Sequence, residues 1–290
     1  METSTSLSHV PIQKYQNQLS WSVLIILLLL RVVLFGWIPV IVEGPLSWID
    51  PVFQIATYAF TAVFLYLNRD QLSAFNIDRL AIFFVVLFKP LQTLIMPLMG
   101  ESLSSNPMAF PNIPAILIWV IAILMLVVLW PSLKTMPKIH SSKWGWLIIG
   151  AVAGILLVFI VSFLLLPFTT VRKITPIYDI TMLLAYPYQM GYAGVDEEPL
   201  FRGLLWGQLR KSGWRVGYVI LTQALIFMLA HGRLLTTISD LPFALTILLG
   251  GVVFGLLVMR SRSISTSITA HGFYNASSIF AYYLISNLFG

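Results

Sequence analysis

The chain has 290 residues, 58% of them hydrophobic and 10% charged, with a formal net charge of +6 and no cysteine. Soluble domains carry roughly a quarter charged residues, so a soluble globular protein is excluded and a polytopic membrane protein remains. Without cysteine there is no disulfide, thiolate metal site, lipidated thiol or thiol nucleophile; the basic residues sit in short loops between apolar runs, which argues against a nucleic-acid partner.

The fold class expected is all-α, a transmembrane bundle of eight or nine spans of about 20 residues each. Residues 1–20 are polar and read as a mobile cytoplasmic tail, and the first span is Trp21 to about Val42. Arg31 lies inside that span and is read as pairing with a neighbouring helix or snorkelling, against a direct role in substrate handling. Span two is about Pro51 to Leu67, and span three about Leu80 to Met99. Span three contains Lys89, read as a structural salt bridge or backbone contact with an active-site cation as the alternative, and Pro90, read as a kink.

A polar loop around Glu101 to Pro111 precedes span four, about Ile113 to Trp130, and a basic loop leads to span five, about Trp144 to Leu166. Gly150 and Gly154 in span five form a small-xxx-small pattern that permits close helix approach. From Pro176 to Leu209 the hydrophobicity is interrupted by Pro187, Gly191, Gly194 and an acidic cluster, and a discontinuous or bent passage is expected. Spans follow at about Val216 to Ile238, Leu241 to Met259 and Ile264 to Leu288. One membrane domain results: tail 1–20, N-terminal helices 21–175, and a core over 176–290 that carries the chemistry.

Charge fixes the expected orientation. With the N-terminus inside, Lys14, Arg69, Arg79, Lys134, Lys138, Lys143, Arg210, Lys211, Arg215, Arg260 and Arg262 face the cytoplasm, and only Arg172, Lys173 and Arg233 lie outside. Short loops and the lack of a targeting extension point to a bacterial cell membrane.

Within the apolar runs stand Asp196-Glu197-Glu198-Pro199-Leu200-Phe201-Arg202. An ionised side chain at the bilayer centre costs roughly 2.5 to 3.5 kcal/mol, so intramembrane acids are a hypothesis about function. Glu198 and Arg202 stand four apart in the favoured order and are expected to pair, leaving Glu197, rotated by about 100°, free as the reactive carboxylate. Pro199 fits the first turn of a helix starting near the glutamates, whose orphan N–H groups would favour negative charge. His231, one turn after Phe227, is the candidate proton partner for general acid-base work on water. His271 and Asn275, also one turn apart, can both donate hydrogen bonds to a tetrahedral intermediate.

Glu197-Glu198-x-x-x-Arg202, Phe227-x-x-x-His231 and His271-x-x-x-Asn275, in this order on successive apolar segments, resemble the CPBP family of intramembrane proteases. That family includes the Ras-converting CAAX endoprotease and bacterial proteins linked to bacteriocin processing or self-immunity. The resemblance covers residues 196–275 and implies an all-helical core with a conical cavity. It further implies that Glu197 and His231 activate water, that His271 and Asn275 form the oxyanion site, and that Glu198 and Arg202 support them, without a metal cofactor. The substrate implied is a membrane-associated peptide or protein, met among membrane lipid.

Other intramembrane protease signatures are absent: His-Glu-x-x-His, Gly-x-Ser-Gly, and a Gly-x-Gly-Asp to accompany Tyr178-Asp179. Zinc held by Glu197, His231 and His271 remains open at this level, since a carboxylate and two imidazoles leave a position for water. Two readings of another kind also remain: a non-catalytic scaffold or immunity protein of the same fold, and a proton-coupled transporter.

Overall fold

Apolar runs of this length in lipid must satisfy their backbone groups internally, and they do so as helices. A computed structural model describes residues 9–41, 48–99, 106–168, 180–232, 236–237 and 240–289, with no strand among them. Helix α1 (His9–Leu28) continues through a π-helical segment, Leu29–Trp37, into α2 (Ile38–Ile41). Then come α3 (Ile49–Leu67), α4 (Arg79–Ile95), α5 (Ile113–Thr135) and α6 (Ser141–Leu165).

The central passage runs as α7 (Ile180–Gln189), a π-helical turn Met190–Gly194, α8 (Val195–Glu198), a second π-helical turn Pro199–Leu205, and α9 (Trp206–Lys211). It is followed by α10 (Val216–Leu229), α11 (Leu241–Ser261) and α12 (Ile264–Phe289). Among the described residues six helical stretches are long and apolar enough to cross a membrane: Tyr15–Trp37, Ile49–Leu67, Arg79–Met99, Ile113–Thr135, Ser141–Phe168 and Leu241–Ser261. The polytopic helical bundle expected from composition is therefore observed.

Several expectations change in detail. The chain is helical from His9, within the stretch read as a tail, and residues 1–8 lie outside the described ones. Arg172, Lys173 and Arg233 also lie outside them, which leaves the external side of the charge count without a structural description. Helix α4 passes through Pro90 unbroken, and Thr93 Oγ1 donates to the Pro90 carbonyl at 2.7 Å. The 176–209 passage, from Ile180 onward, is not discontinuous: two π-helical turns accommodate it within one helical run.

Two glycines decide how α12 is held. A Cβ on Gly150 would lie 2.6 Å from the Thr266 carbonyl oxygen, and one on Gly154 would lie 2.1 Å from that of Ala270. Only glycine permits this approach of backbone to backbone, so the small-residue pattern in α6 is a seat for the helix carrying His271 and Asn275. Ser265, Thr266, Ser267 and Thr269 are buried along the same stretch.

The basic loops share one end of the bundle. Lys143 Nζ donates to the Ser261 carbonyl at 2.7 Å, Lys211 Nζ to Gln71 Oε1 at 2.9 Å, and Ser20 Oγ to Asn68 Oδ1 at 3.2 Å.

Candidate active site

Three consecutive acids on a helix turned by about 100° per residue must point three ways, and each meets a different cation. Asp196 Oδ2 accepts from Lys89 Nζ at 2.6 Å, Glu197 Oε1 from Arg31 Nη2 at 2.5 Å, and Glu198 Oε1 from Arg202 Nη1 at 3.0 Å. The flanking π-helical turns widen the helix on either side of this cluster, and Pro199, which has no N–H to donate, opens the second.

The chain is helical on both sides of the glutamates, with Gly194 and Pro199 in right-handed conformation. No helix begins there, and the orphan N–H groups expected to favour an anion at a helix start are used within the run. Glu197 is likewise not free: a cation from the first helical passage holds one of its oxygens.

Arg202 is fully buried, and its second nitrogen donates to the Gly251 carbonyl at 3.2 Å while the guanidinium lies 4.5 Å from the Phe227 ring centre. The expected Glu198 and Arg202 pair thus forms, and it braces α8 against α10 and α11. Glu198 Oε1 also accepts from His271 Nδ1 at 2.9 Å, because a carboxylate has no hydrogen to give. The other ring nitrogen of His271, Nε2, lies 3.9 Å from Glu197 Oε2. Phe254 stacks on the His271 ring with centroids 5.1 Å apart.

His231 lies past the end of α10, in the turn that follows it. Its Nδ1 donates to the Phe227 carbonyl at 2.8 Å, which fixes the tautomer and leaves Nε2 as an acceptor. Nε2 faces Arg31 Nη2 at 3.3 Å, so one nitrogen of Arg31 touches both Glu197 and His231. Arg31 is held in place from its own helix. Trp37 Nε1 donates to the Leu229 carbonyl at 2.9 Å, and a Cβ on Gly36 would lie 2.7 Å from the Ala230 carbonyl oxygen, so the π-helical segment docks on the end of α10.

A cavity of about 310 Å³ gathers these groups. Glu197, His231, His271 and Asn275 all line it, together with Arg31 and Tyr274. Asn275 Nδ2 approaches Gln189 Oε1 at 3.4 Å. Glu198 and Arg202 stand behind His271 rather than in the cavity wall.

Arg31 pairs with another helix as expected, but the sequence reading did not name Glu197 as its partner. The signal was present: three basic residues, Arg31, Lys89 and Arg202, lie inside apolar segments that hold three acids, and charge matching in lipid demands that they meet.

A zinc ion does not fit Glu197, His231 and His271 as they stand. The Arg31 guanidinium lies on the inward atoms of the first two, and no group of three such ligands comes together among the described residues.

Comparison with known proteins places this geometry. No curated protein matches the chain, and no solved structure matches it. Residues 179–277 match the model of the type II CAAX prenyl endopeptidase Rce1-like family, a family of proteases. The matched segment contains the acidic cluster, both imidazoles and Asn275, and supports the resemblance to the CPBP family.

Proposed function

We propose that this chain is an intramembrane endopeptidase that hydrolyses a peptide bond of a membrane-associated polypeptide, with Glu197 as general base and no bound metal. The observation that carries the reading is the state of Glu197: Oε1 is fixed by Arg31, and Oε2 is buried without a hydrogen-bond partner, 3.9 Å from His271 Nε2. Two acceptors at that separation are bridged by one water at about 2.8 Å from each, donating a hydrogen to both.

Glu197 Oε2 takes one proton as the water oxygen bonds to the carbonyl carbon. The same proton goes to the leaving nitrogen when the C–N bond breaks. Glu198 and Arg202 hold His271 in the tautomer that accepts. The carbonyl oxygen, becoming negative, is met by the Asn275 amide and the Arg31 guanidinium, fixed donors in a site poor in water. Relative to the roles that the resemblance implies, His271 in its neutral form moves from the oxyanion side to the water side, because a neutral ring whose Nδ1–H is given to Glu198 has no second hydrogen.

A second reading is favoured by the other carboxylate oxygen. Arg31 Nη2 marks the point where Glu197 Oε1 and His231 Nε2 converge, and a water shared by that pair would stand there once Arg31 moved aside.

The host membrane in this reading is a bacterial cell membrane with the basic loops inside. The test is a proteomic comparison of membrane fractions containing active or Glu197→Gln protein. One shortened polypeptide present only with the active protein supports hydrolysis. Identical peptide maps, with a variant that unfolds at the same temperature as the parent, overturn it in favour of a scaffold or transporter.

A further inference from the structure

At the basic end of the bundle lies a second cavity, about 660 Å³ and unrelated to the catalytic groups. Arg69, Arg79, Lys138, Lys143 and Arg262 line it, with His140, against two acids, Asp70 and Asp78. Asp78 is already engaged: Oδ2 pairs with Lys143 at 3.0 Å, and Oδ1 accepts from the Ala81 N–H and the Ser263 hydroxyl. Among the described residues Arg69, Lys138 and Arg262 have no carboxylate partner; Arg69 only rests on the Tyr66 ring at 4.6 Å.

The cavity is built rather than incidental. Its loops interlock: Ile264 N donates to the Asn76 carbonyl at 2.9 Å, Lys143 Nζ to that of Ser261, and Arg79 Nη2 to those of Leu133 and Met136. Arg79 Nε is buried there without a partner. Among the described residues the two non-glycine positions with positive φ are Asn76 and Arg262, at +56° and +52°, and both belong to this platform. Asparagine tolerates that conformation; arginine adopts it at a cost, and strain of this kind concentrates where a site demands a particular side chain.

One side of the cavity continues into an apolar groove of about 310 Å³ that shares Arg79 and Ile139 with it. The groove is lined also by Phe83, Trp130, Leu133 and Lys134, and Phe83 and Trp130 are exposed on the outer face of the bundle. A cationic pocket joined to an apolar groove facing the bilayer fits an amphiphile with an anionic head. We infer that this cavity is a binding site for an anionic glycerophospholipid, its phosphate held by Arg79, Lys138 and Arg262 and one acyl chain lying along Phe83 and Trp130.

The test uses the full chain in phosphatidylcholine nanodiscs with and without phosphatidylglycerol, read by thermal unfolding and by native mass spectrometry of retained lipid. Phosphatidylglycerol is expected to be retained and to raise the unfolding temperature. Arg262→Gln and Lys138→Gln should each weaken retention about fivefold. Arg262→Gly separates binding from folding: it relieves the positive φ, so stability in phosphatidylcholine holds or rises while phosphatidylglycerol retention falls. The proposal is overturned if Arg210→Gln with Arg215→Gln, at the same end but outside the cavity, weakens retention equally. It is overturned also if inorganic phosphate or glycerol phosphate gives the same thermal shift, since the groove then contributes nothing.

Discussion

Arg31 Nη2 donates to Glu197 Oε1 across 2.5 Å, and the two residues stand 166 positions apart. The family match begins at residue 179, so a cation from outside the matched segment is set against the acid inside it. Breaking a buried pair on one side leaves a charge with no counterpart. Arg31→Gln is therefore expected to destabilise the protein by about 3 kcal/mol, and Arg31→Gln with Glu197→Gln by distinctly less than the sum of the single changes. A double-mutant cycle of unfolding in detergent measures this.

The same arginine separates the two positions proposed for the attacking water. If water lies between Glu197 Oε2 and His271 Nε2, Arg31→Gln removes a donor to the oxyanion and lowers turnover by about 10²-fold. If it lies between Glu197 Oε1 and His231 Nε2, the substitution clears that point and turnover rises. The rate at which the cleaved polypeptide identified by proteomics appears, with Arg31→Gln protein, gives the sign.

Lys89 is completely buried, with Asp196, Gln54 and Gln92 as acceptors. Lys89→Met is expected to cost about 3 to 5 kcal/mol because Asp196 is left buried and unpaired. Lys89→Met with Asp196→Leu should recover most of that stability. Unfolding midpoints of the parent and the two variants decide it; a double variant no more stable than the single one refutes a purely pairwise role.

Gly154 and Gly145 lie on one helix but face different surroundings. A Cβ on Gly154 meets the Ala270 carbonyl oxygen at 2.1 Å, whereas one on Gly145 meets nothing within 4 Å. Gly154→Ala should push α12 outward, cost about 1 to 3 kcal/mol and lower activity by displacing His271. Gly145→Ala should stabilise by about 0.5 to 1 kcal/mol and leave activity unchanged. Unfolding temperature and cleavage rate, measured together, check both.

Periodicity and local pairing were legible in the sequence. Most helix limits fall within a few residues of those expected from hydropathy, but the helix expected over Val216 to Ile238 ends at Leu229 and the first one starts at His9 rather than Trp21; the Glu198 and Arg202 pair follows from a spacing of four on one helix. His231, His271 and Asn275 share one cavity with Glu197, as their common depth suggested. Local spacing did not name the partner of Arg31, because nothing local specifies a residue 166 positions away. Pro199 misled in another way: proline favours a first helical turn, but a π-helical turn tolerates its missing donor equally well, so the glutamates sit inside a helical run rather than at its start. Charge balance among buried groups held the information that spacing did not.

The docking of Trp37 and Gly36 on the end of α10 also sets a timetable for biogenesis. Glu197 emerges into the bilayer when the first helix is already there to neutralise it, while His271 arrives only with α12. If the proposed chemistry needs both groups, the centre is complete only once the final helix seats itself on α6.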